Sequence, residues 1–473
     1  MSTPAAVLAD LEATLGPQAV IRPGPALDPY LVEWRKLWRG EALAALRPRK
    51  TEEVAYIVRH CGAAGIAIVP QSGNTGLVGG GVPDPGTVVV SMERMTAVRA
   101  VDPAGFTMTL EAGVVLAEAQ RLAREAGRLF PLSLAAEGSA RIGGVLSTNA
   151  GGTQVLRYGN ARDLVLGLEV VLADGTVWNG LKALRKDNTG YDLKHLFLGS
   201  EGTLGLITAA VLKLFPANAD VATALVAVPD LSATVALLGL MRQDSGDQVS
   251  AFEYMNAIGL QMVVRHGPNF THPLPGHEHY VLIELTSPRT GAGLVEALSA
   301  GLERALEDGL VLDAVIAQSH SQGQQFWRMR EFLPEAQGFE GTSIKHDVSV
   351  PIGAIADYCT ETEAAVMAAI PGARVVNFGH IGDGNVHFNV SQPVGADGAQ
   401  FLARWDEVNR IVYDRAMALG GSFSAEHGVG RLKVGDVVRY KCPVEIGLMQ
   451  RVKAALDPAG LLNPGKVVPS RME

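Results

Sequence analysis

The sequence contains few cysteines, and their spacing suits neither a disulfide framework nor a metal finger. Its 473 residues include three cysteines, Cys61, Cys359 and Cys442, and no two of them form a CxxC pair. An odd number of cysteines without paired spacing argues against disulfide bonding and against a zinc finger. We therefore expect a protein that works in a reducing compartment, by default the cytoplasm.

Long apolar runs, targeting signals and excess basic charge are also missing. No uninterrupted run of about 18 apolar residues occurs, so we expect no membrane-spanning helix. No Lys or Arg precedes Arg22, which matches neither a signal peptide nor a basic transit peptide. The net charge of −9 argues against a nucleic-acid partner, because phosphate binding needs clustered Lys and Arg. These absences predict a soluble, cytoplasmic protein.

The familiar nucleotide-binding motifs are absent as well. No GxxxxGK[ST] motif occurs. Residues 51–65 have helical spacing of apolar residues, whereas 66–70 and 87–91 read as short strands. The glycine-rich loop between these strands therefore opens onto a strand, but a Rossmann fingerprint requires a helix there. The pattern disfavours a Rossmann domain and a P-loop.

Two glycine-rich tracts stand in the first half of the chain: "SGNTGLVGGG" at 72–81 and "EGSARIGGVLSTNAGGTQVLRYGN" at 137–160. Runs of Gly, Ser, Thr and Asn allow backbone N–H groups to converge on an anion without obstruction by side chains. For one tract alone, ordinary turn glycines explain the pattern equally well. Two such tracts in one domain favour a bound cofactor.

Together with "GSEGTLGLIT" at 199–208, these tracts resemble, in order and spacing, the FAD-binding domain of the vanillyl-alcohol oxidase and para-cresol methylhydroxylase superfamily. Within it, the chain resembles the FAD-dependent D-2-hydroxyacid dehydrogenases, and most closely the D-2-hydroxyglutarate dehydrogenase branch. The resemblance implies an α+β fold with a two-part FAD-binding domain at 1–218. It further implies an α+β substrate (cap) domain at 219–415 and a C-terminal helical segment at 416–473 that returns to the flavin.

The resemblance also implies which residues hold FAD. The set comprises Pro70, Ser72, Gly73, Asn74, Thr75, Gly76, Leu77, Gly79, Gly80, Gly138, Ser139, Ile142, Gly143, Thr148, Asn149, Gly151, Gly152, Tyr158, Glu201, Gly202, Ile207 and Asn463. Superfamily members with a covalent flavin often carry a histidine in the first loop. Because Asn74 stands in this loop, we expect FAD to be bound without a covalent link there.

A pair of histidines in "GHIGDGNVHFNV", residues 379–390, raises the question of a metal. If Asp383-Gly384 forms a two-residue hairpin turn, His380 pairs directly with His387. The two side chains then lie on one face, with Cβ atoms about 5 Å apart. This geometry fits two ligands of one divalent ion, and it fits ordinary cross-strand neighbours equally well, since two ligands alone do not make a site.

A third ligand is offered by "SAEHGVGRLK" at 424–433. The resemblance implies that His380, His387 and Glu426 bind a divalent metal and that His427 is the catalytic base. Two imidazoles and one carboxylate suit zinc, although manganese or cobalt fits the same ligands. A competing cluster in "THPLPGHEH", with His272, His277, Glu278 and His279, reads as an exposed loop.

The resemblance further implies that Arg330, Lys345 and Asn389 bind an anionic substrate. Arg and Lys are suited to carboxylates, Arg through paired hydrogen bonds and Lys as a point charge. The residue at 334 departs from the hydroxyglutarate pattern, because Pro334 stands where that branch has a threonine. The preferred side chain of the substrate therefore stays open.

These residues predict the metal-assisted oxidation of a D-2-hydroxyacid, with D-2-hydroxyglutarate the first candidate, to the 2-oxoacid. Hydride passes to FAD, and the electrons then pass to a flavoprotein or a quinone rather than to NAD. A D-lactate dehydrogenase or the flavin subunit of a glycolate oxidase is the alternative enzyme. An inactive flavin-binding interaction module is the alternative of another class. We also expect a homodimer.

Overall fold

The structure is a computed structural model that describes residues 3–469. Residues 1–2 and 470–473, at the outer ends of the predicted segments 1–218 and 416–473, lie outside the described residues. Unit 1 comprises the chain up to Gly151, then Gly159–Ala217, and the chain from Glu426 onward. Unit 2 comprises Gly152–Tyr158 and Asn218–Ala425. The segment boundaries at 218 and 415 stay a prediction.

Within residues 3–469, unit 1 contains three sheets. A four-stranded sheet has the order Val20–Ile21, Ala44–Leu46, Val88–Ser91, Ile68–Gln71. A five-stranded antiparallel sheet has the order Val98–Asp102, Thr107–Glu111, Leu206–Lys213, Val165–Val171, Val177–Gly180. Phe215–Pro216 and Arg128–Leu129 form a two-stranded ribbon. The first glycine tract follows Ile68–Gln71 and leads to the parallel strand Val88–Ser91, which confirms the predicted opening onto a strand.

The α-helices of unit 1 are Pro4–Leu15, Asp28–Leu31, Thr51–Ala63, Leu116–Glu125, Ile142–Ser147, Lys194–Phe197, Val434–Tyr440 and Pro443–Leu456. The helix Thr51–Ala63 packs its apolar stripe, which includes Val54 and Val58, into a buried cluster with strand residues such as Val88 and Val90. This burial of one apolar helix face against a β-branched sheet stabilises the fold of this region.

Unit 2 is built on one long antiparallel sheet. Its strand order is Asp313–Ile316, Asp220–Val228, His279–Ser287, Val249–Asn256, Arg374–His380, Asn385–Ser391, Ser343–Ile344, and Val348–Ser349 also pairs with Asn385–Ser391. The α-helices are Val155–Tyr158, Leu231–Asp244, Ala257–His266, Leu294–Glu307, His320–Phe339, Ile355–Ala369, Gly398–Leu402 and Trp405–Ala418. Mixed helices and sheets in both units confirm the predicted α+β class.

One face of the unit 2 sheet carries the helix His320–Phe339. Its Phe326, Met329 and Leu333 lie in a buried cluster with Leu282 and Phe378 of the strands. Side chains alternate between the two faces of a strand, so the same face also receives every second residue of Val249–Asn256 and Arg374–His380. Polar residues at these positions are therefore enclosed between sheet and helix.

Among residues 3–469, no helix has both the length and the apolar character needed to cross a bilayer.

In unit 1 the buried carboxylate of Glu201 joins segments that are far apart in the sequence. Its oxygens accept hydrogen bonds from the N–H groups of Val429 (2.7 Å) and Gly430 (2.9 Å). The side-chain amide of Asn463 donates to the carbonyls of Glu201 (2.8 Å) and Gly80 (3.0 Å). Three loops and the C-terminal segment are thus held at one point.

The desolvation penalty for burying the charged form of this carboxylate is larger than the stabilisation that its hydrogen bonds provide. Burial raises the pKa of Glu201 from 4.5 to about 7, against the opposing effect of the N–H groups of Val429 and Gly430. Because the folded-state pKa is raised, the contribution of this group to stability is full below about pH 4.5. It is lost as the pH rises to about 7, by roughly 3 kcal/mol in total.

We predict that Glu201→Gln makes the stability of the protein less dependent on pH. An amide keeps an acceptor for one of the two N–H groups but has no charge to bury. The melting temperature of the variant relative to wild type should therefore rise between pH 4.5 and pH 8, as measured by calorimetry on the purified protein. Glu52→Gln, an exposed position in the same unit, is the control and should leave the pH profile unchanged. A constant difference, or one of opposite slope, would contradict the raised pKa.

Candidate functional site

Unit 1 contains a cavity formed by the two glycine-rich tracts and the loops around Glu201 and His427. The predicted cofactor residues that line it are Pro70, Ser72, Gly73, Asn74, Thr75, Gly76, Leu77, Gly79, Gly80, Gly143, Thr148, Gly151, Glu201, Gly202 and Ile207. Both tracts thus border one space.

The glycines of this cavity are required by close contact between the tracts. A Cβ atom on Gly73 would lie 2.5 Å from the carbonyl oxygen of Ser139, and one on Gly143 would lie 2.7 Å from the Cβ of Ala112. A side chain at either position would force the loops apart. Ser139 therefore contributes a backbone contact to the first tract rather than a surface of the cavity.

The first loop offers backbone donors to an anion. Within residues 3–469, the N–H groups of Gly73, Asn74, Thr75 and Gly76 have no acceptor in the protein, and all four residues line the cavity. Backbone N–H groups left open beside a cavity suit a pyrophosphate. Asn74 has a left-handed backbone (φ 50°), and its amide nitrogen donates to the carbonyls of Pro29 and Val32. This arrangement fits FAD.

Several predicted cofactor residues have other positions. Gly138, Ile142 and Asn149 lie in unit 1 outside the lining of the cavity, and Asn149 accepts the N–H of Arg162 (2.9 Å). Asn463 is buried behind the loops and bonds their carbonyls rather than the cavity. Gly152 and Tyr158 belong to unit 2, where the Arg157 guanidinium lies 5.4 Å from the Tyr158 ring.

Sequence reasoning missed several apolar and polar residues of this cavity: Glu33, Gln71, Met92, Leu134, Arg141, Val145 and Leu206. Gln71 directly precedes the first glycine-rich tract, Arg141 and Val145 lie within the second, and Leu206 lies in the motif at 199–208. Glu33, Met92 and Leu134 lie outside these motifs. Glu426 and His427, which were assigned to the metal and to proton transfer, also line the cavity. The Glu426 carboxylate packs against Gly151, where a Cβ would lie 2.6 Å from its Oε2 atom.

In unit 2 the histidine pair departs from the predicted hairpin. The strands pair Phe378 with His387, so the predicted pairing of His380 with His387 is wrong by two residues. Residues Ile381–Asp383 form a turn of 3-10 helix, and Gly384 adopts a left-handed backbone (φ 88°). The short strand Val348–Ser349 pairs with Val386 and Asn385 and so takes the ladder positions that a two-residue turn would have used.

The histidines nevertheless lie on one face of the sheet. A shift of two residues preserves the face of each side chain, whereas a shift of one would have separated them. The ring centroids of His380 and His387 are 5.4 Å apart. Nδ1 of His380 lies 2.5 Å from Oε1 of Glu253, and Nδ1 of His387 lies 3.9 Å from Oδ1 of Asp347. A carboxylate that accepts the Nδ1 proton is the usual arrangement around metal-binding histidines, because it places the lone pair of the ring on Nε2.

The predicted anion-binding residues lie on the same face. Arg330 is buried on the helix His320–Phe339, its Nε donates to Oε2 of Glu253 (2.8 Å), and its guanidinium stacks on the ring of Phe378 at 4.7 Å. Lys345 donates to the carbonyl of Pro334 (3.3 Å). Pro334 lies inside the helix, where it removes one backbone donor.

Asn389 is held by two hydrogen bonds. Its Nδ2 donates to Oε1 of Gln337 (3.0 Å), and its Oδ1 accepts the N–H of His346 (3.2 Å). One Nδ2 proton is left over from these two bonds. A planar amide fixed in this way can present that proton in one direction only.

Glu253 is the residue of unit 2 that sequence reasoning missed. It is fully buried, and although burial acts to raise its pKa, the interactions with His380 and Arg330 hold the pKa at about 2. Asp383 in the histidine loop shows the opposite behaviour, since burial raises its pKa to about 6. The sequence signal that could have identified Glu253 was an acidic residue at an inward position of the apolar strand Val249–Asn256.

The competing cluster at 272–279 does not converge on a metal. Nδ1 of His272 accepts the N–H of Leu274, and Nδ1 of His279 bonds the Tyr254 hydroxyl at 2.6 Å. Within the part of the chain that the structure describes, its ligand atoms do not form a group of three close enough to share an ion.

Family models and known structures agree with this arrangement. Residues 42–180 match the FAD binding domain family, and 217–467, more than half of the chain, match the C-terminal domain of FAD linked oxidases. The crystal structure of p-cresol methylhydroxylase with substrate bound is similar in fold, with a TM-score of 0.77 and 18% identity, over 98% of this chain and 96% of that one. The predicted superfamily fold is confirmed.

Comparison with curated relatives identifies the branch of the superfamily to which the chain belongs. The chain is 40% identical to the mitochondrial D-2-hydroxyglutarate dehydrogenase of Rattus norvegicus, over 96% of this chain and 83% of the relative. It is 39% identical to the D-2-hydroxyglutarate dehydrogenase of Xanthomonas citri, over 93% of this chain and 92% of the relative. The rat protein and relatives from three other eukaryotes are named as mitochondrial, so the prediction of a cytoplasmic protein is wrong. The chain belongs to the D-2-hydroxyglutarate dehydrogenase family of FAD-dependent oxidoreductases.

Proposed function

We propose that the protein oxidises D-2-hydroxyglutarate to 2-oxoglutarate, with FAD as the immediate electron acceptor and a divalent metal at the substrate. Near-full-length identity to dehydrogenases named for this acid supports the substrate. The observation that carries the proposal is the face of unit 2 on which Arg330 lies beside the two histidines. An anion-binding group and two metal-type ligands are what a hydroxydicarboxylic acid requires.

The divalent metal is inferred from the chemistry of the side chains that would bind it. His380 and His387 would hold it through Nε2, and Glu426 would be the third ligand. Zinc suits this set, and manganese or cobalt would also fit. A bound divalent ion supplies positive charge that lowers the pKa of a coordinated hydroxyl.

The residues of the chain then divide the remaining work. Arg330 and Lys345 bind the distal carboxylate, and Asn389 orients the substrate with its free amide proton. His427 takes the proton of the 2-hydroxyl as general base, a role that suits imidazole near neutral pH. FAD held by the loops of unit 1 would supply the redox chemistry, as the acceptor of the two electrons removed from the substrate. The electrons leave to a flavoprotein or a quinone, and the enzyme works as a homodimer.

One observation favours a second substrate. Pro334 cannot offer a hydroxyl to the distal carboxylate, and its carbonyl is already bonded to Lys345. A shorter monocarboxylic acid such as D-lactate would not need that contact. The flavin subunit of a glycolate oxidase is the related alternative.

We predict that D-2-hydroxyglutarate bleaches the flavin of the anaerobic, metal-loaded protein, because Arg330 supplies a partner for its second carboxylate. The absorbance change should be faster with this acid than with D-lactate or D-malate, and the L-enantiomers serve as controls. A faster response to D-lactate would favour the second substrate. A protein that is yellow yet inert to every D-acid would contradict the dehydrogenase and revive the interaction module.

We also predict that His380→Ala removes the metal and slows flavin reduction by on the order of 100-fold or more, because one of three ligands is lost. Metal content is measured by mass spectrometry beside the anaerobic reduction rate. His272→Ala, from the competing cluster, is the matched control and should retain both. If His380→Ala keeps its metal and activity while His272→Ala loses them, the ligand assignment is wrong.

A further inference from the structure

The carboxylate of Glu253 contacts two residues that the proposed function uses for different purposes. Oε1 lies 2.5 Å from Nδ1 of His380, and Oε2 accepts the Nε proton of Arg330 at 2.8 Å. Glu253 also pairs with His380 in the register of neighbouring strands, so backbone and side chain fix the same spacing. One group therefore determines the position of a metal-type ligand and of an anion-binding group.

We propose that Glu253 is a positioning residue that sets the metal ligand His380 and the substrate-binding Arg330 in one fixed geometry. This inference rests on the proposed function of the site. No motif contains Glu253, and it does not touch the substrate or the cofactor in this account. It acts through the two side chains that do.

The contact with Glu253 determines the tautomer of His380. A carboxylate accepts protons and does not donate them, so Nδ1 of His380 must carry the proton in this contact. The lone pair of the neutral ring is then on Nε2, where a metal can use it. Without Glu253, either nitrogen could carry the proton, and the ring could rotate.

The contact with Glu253 also determines the orientation of Arg330. Its Nε is occupied by Glu253, and the ring of Phe378 lies 4.7 Å from its guanidinium carbon. Two such contacts fix the plane of the group and leave the terminal nitrogens for paired bonds to a carboxylate. An arginine on a flexible stem would lose this alignment.

Glu284 provides a matched control. It is a second carboxylate on the same sheet, one strand away and half-buried, where it accepts hydrogen bonds from Nε1 of Trp327 (2.7 Å) and Oγ of Ser250 (3.3 Å). Its contacts involve neither His380 nor Arg330. A general effect of removing a hydrogen-bonded acid from this sheet should therefore appear in Glu284→Gln as well.

The experiment compares Glu253→Gln, Glu253→Asp and Glu284→Gln with wild type. Affinity for zinc is measured by chelator competition without substrate, and the KM and kcat for D-2-hydroxyglutarate are measured at saturating zinc. Glu253→Asp keeps the charge, and thus the counter-ion of Arg330, but it is one methylene too short to reach both partners. This second variant guards against a simple failure of Glu253→Gln to fold, because removing one member of a buried ion pair is costly.

Both Glu253 variants should bind zinc more weakly by about 10- to 100-fold, the usual effect of losing the partner of a metal ligand. At saturating zinc their KM should rise by roughly tenfold while kcat changes little, since a misaligned guanidinium weakens substrate binding. Glu284→Gln should match wild type in all three quantities.

Each other outcome overturns the inference. Unchanged zinc affinity would refute the role toward His380, and an unchanged KM would refute the role toward Arg330. A lower KM would show that Glu253 restrains the charge of Arg330 rather than orienting it. An equal loss in Glu284→Gln would indicate a general structural effect. If wild type itself bound no zinc and oxidised no D-acid, the proposed function would fail, which is a different result from these.

Discussion

Burying a carboxylate away from water is expensive, and both units of this protein are organised around that constraint. In unit 1 Glu201 is compensated only by backbone N–H groups, and its pKa rises to about 7. In unit 2 Glu253 is compensated by Arg330 and His380, and its pKa falls to about 2. The same type of side chain thus holds its proton more tightly than usual in one unit and less tightly than usual in the other.

These two modes of compensation match what each region must do. The loops around Glu201 must lie close together so that backbone N–H groups border the cavity. An acceptor that several loops share holds them there, and its raised pKa reduces the negative charge near a bound phosphate at neutral pH. The sheet face of unit 2 must instead keep a cation and a metal-type ligand in place in a dry environment, which a permanent anion does. In the proposed reaction, Glu253 therefore acts through His380 and Arg330, and it contributes no chemistry of its own.

Much of this arrangement could be predicted from the sequence, but only where the signal was local or belonged to a long motif. The helix Thr51–Ala63 and the strands beside the first glycine tract followed from periodicity, and the tracts themselves indicated the superfamily. The prediction of a two-residue hairpin turn at Asp383-Gly384 was wrong, because the residues after the turn pair with the distant strand Val348–Ser349. Glu253 could not be assigned, since its meaning depends on Arg330 and His380, 77 and 127 residues away.

Glu253 holds His380 with its proton on Nδ1 and therefore with the lone pair of the ring on Nε2, the atom that would bind a metal. Nitrogen NMR of the metal-free enzyme, labelled with 15N-histidine and assigned with a His380→Gln variant, observes this directly. At pH 8 the account predicts a protonated Nδ1 and an unprotonated Nε2 for His380, with the Nε2 resonance shifting when zinc is added. A proton on Nε2 with a bare Nδ1, or an Nε2 resonance indifferent to zinc, would contradict it.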